Sequence, residues 1–363
     1  MDIATLIQDY GAALESRYHA RLLPSHRRAL DAMSACRKRC GELLLQCEHC
    51  RRSTTVPLSC GHRSCPKCQH QDATAWLNRQ SSKLLPVPYF MVTFTLPAEL
   101  RQTAWRHQRR VYTAMFRAAQ ASLNTLGADP KWLGEKIGMT GVLHTHTRRL
   151  DYHPHIHFIV PGGGIQNSGQ HTSWRSGEGN FLFYGSALAA LFRGKLMYEL
   201  IADGIHLPIR LPRKWVVDCS CVGRGLSALR YLSRYLYRGV IAERNIIASH
   251  NGQVTFSYVD SATKQVCYRT LKGEDFLWCL LRHVLPRGFR RSRDYGYLHP
   301  NARKKLALVQ LILQVKLPAV VPVVKRALSC VCCDLPLKIV EIFRRRIPFN
   351  PLFHGAGHAA WST

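Results

Sequence analysis

His155-Ile156-His157 sets two imidazoles two residues apart inside an apolar run that continues Phe158-Ile159-Val160. Residues two apart share a face of an extended strand. The spacing therefore predicts a paired-imidazole edge, with Ile156 and Phe158 turned to a core. His144 stands eleven residues before His155. On a preceding strand, paired antiparallel around the turn 147–154, it would come opposite the pair. Three imidazoles on one sheet face leave coordination positions open for a phosphate oxygen. The glycines of Pro161-Gly162-Gly163-Gly164 would let backbone approach a ligand closely. A second set lies further on. Tyr231 and Tyr235 are four apart and share one helix face, with Arg234 and Arg238 on an adjacent stripe. A phenol acts as a nucleophile when its developing phenolate is stabilised, so two phenols beside two guanidiniums suit phosphodiester cleavage. Each set also has a plainer reading: solvated histidines on a sheet face, and aromatic core residues on a helix with a basic outer face.

The cysteines predict metal of another kind. Seven of the fourteen fall between Cys36 and Cys68, in a segment with too little apolar sequence to fold without a metal. Cys47-x-x-Cys50 and Cys65-x-x-Cys68, fourteen residues apart, match the spacing of a closed four-cysteine zinc site, structural rather than catalytic. Cys36, Cys40, Cys60 and His62 remain in the same segment, open to a second site or to ordinary packing. Near the C-terminus, Cys330-x-Cys332-Cys333 offers half a site with nothing obvious to complete it, and ordinary packing is expected there.

The elements that must position these groups follow from periodicity. Leu6, Tyr10, Leu14, Tyr18 and Leu22 recur at helical spacing, and the pattern from Thr5 to about Cys40 is helical. A helix is expected from near Gln69 and a buried strand over 89–96, rich in β-branched and aromatic residues. A long basic helical stretch covers 98–126. Strands follow at Met139–His146 and His155–Val160, helices at 186–201 and 225–237, and a hairpin at 254–259 and 265–271. Together these predict an α+β fold, an antiparallel sheet flanked by helices. Three regions are expected: 1–85, an N-terminal helix with a zinc-binding, DNA-docking domain; 86–300, a catalytic domain; and 301–363, a separate basic C-terminal tail.

Charge narrows the partner. Lys and Arg number 51 against 22 Asp and Glu, a net charge of +29 over 363 residues. Phosphate-dense nucleic acid matches such an excess. A membrane surface is the rival, but no basic amphipathic helix with a clean apolar face is visible. The most apolar stretch, 306–324, is interrupted by Gln310, Gln314, Lys316, Pro318 and Pro322. The N-terminus lacks a charged segment followed by an apolar run. A cytoplasmic, nucleoid-associated protein is expected, in which cysteines bind metal rather than form disulfides.

The whole constellation resembles the HUH endonucleases, and within them the two-tyrosine rolling-circle insertion-sequence transposases, closest to the branch with the common-region elements. The residues that carry this are Cys65-Pro66-Lys67-Cys68-Gln69, His153-Pro154-His155-Ile156-His157 with Pro161-Gly162-Gly163-Gly164, Tyr231-x-x-x-Tyr235, and Leu285-Pro286-x-Gly288-Phe289. One departure is Ser64, where that family carries a histidine before the second Cys-x-x-Cys. The resemblance implies an HUH-like sheet domain behind a small zinc-binding domain. It implies a transposase that nicks and rejoins single-stranded DNA at element ends and at a target site. His155 and His157 would hold the catalytic ion; His144 joins them only through the strand pairing argued above. Tyr235 or Tyr231 would attack the scissile phosphate, giving a 5′-phosphotyrosine and a free 3′-hydroxyl. Imidazoles taken alone favour zinc, nickel or copper, whereas the resemblance implies Mg2+ or Mn2+. Two other classes compete: a non-enzymatic zinc-knuckle DNA-binding protein, against which the tyrosine pair argues, and a histidine-metal hydrolase of small phosphoesters, against which the charge argues.

Overall fold

The computed structural model describes residues 1–68, 70–168, 171–177, 179–237, 240–315, 328–347 and 353. Arg238, Gln69 and the end of the 306–324 apolar run lie outside them.

Two helices open the chain, α1 (Ile3–Tyr18) and α2 (Pro24–Ala35). Asp2 caps the first by accepting the Thr5 amide at 2.7 Å. Strands β1 (Gly41–Cys47) and β2 (Ser53–Pro57) follow, then α3 (His70–Ser81) and β3 (Tyr89–Thr95). The basic helical stretch divides into α4 (Arg101–Arg106) and α5 (Gln108–Ala128). Then come β4 (Met139–His146), β5 (Tyr152–Pro161), β6 (Gly163–Ser168), β7 (His171–Ser176), α6 (Gly185–Ala202), β8 (Val217–Cys221) and α7 (Leu226–Tyr237). The remainder is β9 (Ile246–His250), β10 (Gln253–Val259), β11 (Val266–Lys272), α8 (Gly273–Leu281), β12 (Ser292–Tyr295), α9 (Arg303–Ile312) and β13 (Leu337–Arg344).

A five-stranded sheet of order β12-β4-β5-β3-β8, antiparallel at every pairing, is the centre of the α+β fold. Strand alternation divides its faces. Phe90, Val92 and Phe94 of β3 join Ile156, Phe158 and Val160 of β5 in one core with Phe116 of α5 and Phe192 of α6. Phe94 is central to that core, with ring centroids 5.8 Å from Phe158 and 4.9 Å from Phe192. On the opposite face Val142 and Ile159 pack with Leu229 and Leu232 of α7 and Trp76 of α3. Only part of that second face is apolar; the rest carries the histidines described below.

The N-terminal helices do not form a unit apart. Ile3, Leu6, Ile7 and Leu14 of α1 share a core with Phe256 of β10 and Phe276, Leu277 and Leu280 of α8. Of the segment 301–363, expected as a separate tail, the described residues 328–344 are also tied in. Its strand β13 pairs with β1 from Gly41↔Arg344 to Cys47↔Leu337, completing a sheet of order β13-β1-β2. Among the described residues no helix is long and apolar enough to cross a membrane.

Candidate metal centres and the tyrosine helix

Register places the histidines. β4 and β5 pair so that His144 lies directly opposite His155 and Val142 opposite His157. Opposite residues and residues two apart point to the same face, so His144, His155 and His157 share one. One ring nitrogen from each lies within 4.8 Å of the others. The ring centroids are 5.2 Å (His144–His155), 4.6 Å (His144–His157) and 4.8 Å (His155–His157) apart.

Hydrogen bonds orient two of the rings. His155 Nδ1 lies 2.7 Å from the His153 carbonyl, which only accepts, so Nδ1 carries the proton and Nε2 keeps its lone pair. His157 Nδ1 lies 2.8 Å from the Thr93 hydroxyl, so Nε2 is the ring nitrogen outside that bond. Burial lowers the pKa of all three: His155 to about 4, His157 to about 3, and His144 well below the ordinary value, with neighbouring imidazoles adding to the effect. At neutral pH the three rings are uncharged, and three neutral imidazoles fit a divalent ion with room for oxygen donors. Sequence reasoning did not single out Thr93, although alternation along β3 puts it opposite His157. Thr93→Val keeps the branched shape and removes the hydroxyl. Divalent-ion affinity, measured by titration calorimetry, should fall about 10-fold or more, the usual cost of losing a group that orients a ligand. Affinity unchanged within about twofold would exclude that role for Thr93.

Tyr231 of α7 belongs to the same place. Its ring centroid is 6.2 Å from that of His157 and 6.5 Å from that of His144. Arg234 is exposed on the same helix, and the Tyr235 side chain and all of Arg238 lie outside the described residues. Arg291 closes the end of the helix by donating to the Leu236 carbonyl at 3.2 Å, a cation where the helix dipole favours one. Beside it opens a basic pocket of about 590 Å³, lined by Arg63, Arg79, Arg290, Arg291 and Arg303 with Trp76. Among the described residues its one acidic lining residue, Asp294, is held by Lys83 at 2.6 Å. The Leu285–Phe289 segment leads into this pocket. Phe289 is anchored on Tyr112 at 5.7 Å and lies under the Arg293 guanidinium at 5.2 Å.

Two expectations are corrected. The glycines after β5 do not make room for a ligand. A Cβ at Gly162 would fall 2.8 Å from the Phe90 ring, one at Gly163 2.5 Å from Trp174, and one at Gly164 2.5 Å from Glu135. They let β6 and β7 pack closely against the protein itself. The cysteine partition also differs. Cys47 and Cys50 do not meet Cys65 and Cys68. Instead Cys36, Cys60, Cys65 and Cys68 converge, and Cys47 and Cys50 meet Cys330 and Cys333. In the first cluster Cys36 and Cys60 lie 3.4 and 3.6 Å from Cys68, sulfur to sulfur. A tetrahedral ion with Zn–S bonds of about 2.3 Å needs sulfurs roughly 3.8 Å apart, so four thiolates here fit zinc. His62 is outside the cluster; its Nδ1 accepts the Ser64 amide at 3.2 Å. Cys40 is also outside, its thiol donating to the Ala35 carbonyl at 3.2 Å.

Residues 138–305 match the family described as "Putative transposase" (Y2_Tnp), and residues 6–96 match the "Transposase zinc-binding domain" (Zn_Tnp_IS91). Over 344 residues the chain is 32% identical to the protein described as "Putative transposase y4qJ" of Sinorhizobium fredii, covering 88% of this chain and 85% of that protein. Over 298 residues it is 28% identical to the transposase for insertion sequence element IS801 of Pseudomonas savastanoi pv. phaseolicola, covering 71% of this chain and 68% of that one. Among solved structures it is similar to the metal-bound conjugative relaxase TrwC in complex with oriT DNA. That match has 16% identity and a TM-score of 0.28, over 43% of this chain and 68% of the relaxase.

Proposed function

Because the chain belongs to the IS91-type two-tyrosine transposases of the HUH class, with an N-terminal zinc-binding domain, we propose that it nicks and rejoins single-stranded DNA at element ends through a 5′-phosphotyrosine. The observation that carries this reading is the Tyr231 ring 6.2 Å from His157, on the face where three imidazoles converge. His144, His155 and His157 would hold a divalent ion, Mg2+ or Mn2+. When bound, it draws charge from the scissile phosphate. The phenol oxygen of Tyr231 or Tyr235 bonds to phosphorus. The bond from phosphorus to the 3′ oxygen of the preceding nucleotide breaks, and the phenol proton ends on that oxygen. The DNA then carries a free 3′-hydroxyl, and the bond energy stays in the tyrosine ester for rejoining.

The basic pocket beside α7 fits the phosphates of the strand leading to the nucleophile. Four thiolates around Cys36 hold zinc as a structural ion in the N-terminal region. The test is an oligonucleotide from an element end, mixed with protein and Mg2+ or Mn2+ and resolved under denaturing conditions. A protein–DNA adduct that needs the divalent ion is expected with single strands and not with blunt duplex. Equal reaction of both forms, or binding without adduct, would favour a protein that only binds DNA. Binding should also weaken steeply with salt. With about four phosphates neutralised, at roughly −0.7 per phosphate, affinity falls about 50-fold between 50 and 200 mM salt. A nearly flat dependence in fluorescence anisotropy would remove the phosphate contacts from the account.

A further inference from the structure

The second cysteine cluster joins parts of the chain at opposite ends. Cys47 lies 3.4 Å from Cys333, Cys50 3.5 Å from Cys330 and Cys50 3.9 Å from Cys333, sulfur to sulfur, across sequence separations of 286 and 280 residues for the first two. These distances surround the roughly 3.8 Å edge of a tetrahedral zinc–thiolate site and are far from the roughly 2.05 Å of a disulfide.

The two turns that present the thiols are built alike. Cys330-Val331-Cys332-Cys333 is itself a Cys-x-x-Cys, its spacing masked by the extra Cys332. In the first turn the Cys47 amide donates to the Arg52 carbonyl at 2.9 Å and the Arg51 amide to the Cys47 carbonyl at 3.0 Å. In the second, the Cys330 amide donates to Leu335 and the Asp334 amide to Cys330, both at 2.8 Å. Each turn closes through a left-handed residue, Arg51 at φ 60° and Asp334 at φ 54°. Two turns of the same conformation face each other, each offering its first and fourth residue. Cys332, the extra thiol, is exposed and outside the cluster. The flanking strands continue the pairing, since β1 runs into the first turn and β13 leaves the second, paired antiparallel with one register shift between Leu44 and Leu45. Lys338 and Glu48 add an ion pair across the same junction.

We propose that Cys47, Cys50, Cys330 and Cys333 form a second four-thiolate zinc centre, a clasp that fastens the C-terminal strand β13 to the N-terminal zinc-binding region. A neutral apolar contact would not need four convergent thiols. Four thiols without an ion would be a poor substitute for a core, because each turn exposes its backbone to solvent and buries little. The clasp closes the chain around the whole catalytic sheet, and the N-terminal region is incomplete without residues 330–344. A chain ending before Ser329 loses both half the ligands and the third strand of the sheet.

The test is metal stoichiometry on the full-length protein, and it does not depend on DNA cleavage. Native mass spectrometry with elemental analysis should find two zinc ions per chain. Cys330→Ser with Cys333→Ser should hold one, Cys332→Ser should keep two, and Cys36→Ser should lose the other zinc. Because the double variant could fail to fold, the wild-type protein is also alkylated with zinc bound. Cys332 should react rapidly, while Cys330 and Cys333 resist until a chelator is added. One zinc per wild-type chain, a Cys47–Cys333 disulfide in protein purified under reducing conditions, or Cys330 and Cys333 reacting as fast as Cys332 would overturn the clasp.

Discussion

His157→Ala is expected to lower divalent-ion-dependent cleavage of single-stranded DNA by on the order of 10³-fold, about 4 kcal/mol of transition-state stabilisation. Three imidazoles within 4.8 Å of one another are a minimal set, and alanine at 157 leaves only His144 and His155. The change also strands the Thr93 hydroxyl that holds the ring at 2.8 Å. His157 lies beside Ile156 and Phe158, which point into the opposite core, so the fold should survive. Calorimetry provides a reading independent of activity, in which affinity for Mn2+ should fall by at least about 10-fold. DNA binding measured without added divalent ion should match that of the wild-type protein, because the basic pocket is formed by other residues. Full cleavage together with wild-type metal affinity would remove His157 from the centre.

Much of this centre was legible because it depends on local periodicity. Alternation along His155–Phe158 separates ligand from core, and the short connection between β4 and β5 limits which residue can face His155. The helix over 226–237 follows from its own apolar spacing, which also sets Tyr231 toward the sheet. The cysteine partition was not legible, for a physical reason. Local spacing of Cys47-x-x-Cys50 and Cys65-x-x-Cys68 is compatible with one shared ion. The actual neighbours of Cys47 and Cys50 lie 280 or more residues away, and local spacing carries no information about such closure. Strand β13 was missed with them. Seven of its eight residues are exposed, so it has little of the inward-outward contrast that marks a strand. The glycines after β5 were misread because a close approach to Trp174 or Phe90 has the same sequence signature as a close approach to a ligand.

The second large effect concerns which phenol carries the DNA. Phenol has an unperturbed pKa of about 10, so attack at neutral pH requires that charge be stabilised where the oxygen meets phosphorus. The Tyr231 ring packs beside His157 and His144, which suits the proposed attack, and Tyr235 follows one helical turn later on α7. Tyr235→Phe and Tyr231→Phe keep each ring and remove only the attacking oxygen, so both proteins should fold, bind metal and bind DNA. Each should leave no adduct at the altered position. If the two phenols act in turn, the single variants retain one cleavage and lose strand transfer, whereas the double variant loses adduct formation altogether, by at least about 10³-fold. The sequence makes the assignment direct. Trypsin cuts after Arg230, Arg234 and Arg238, so Tyr231 and Tyr235 fall in separate peptides, and fragmentation distinguishes Tyr235 from Tyr237 within the second. Mass spectrometry of the nucleotide-bearing peptide after metal-dependent cleavage should find Tyr231 or Tyr235. An adduct on Tyr237, or on neither peptide, or one formed undiminished in a chelator, would refute the mechanism while leaving the zinc clasp untouched.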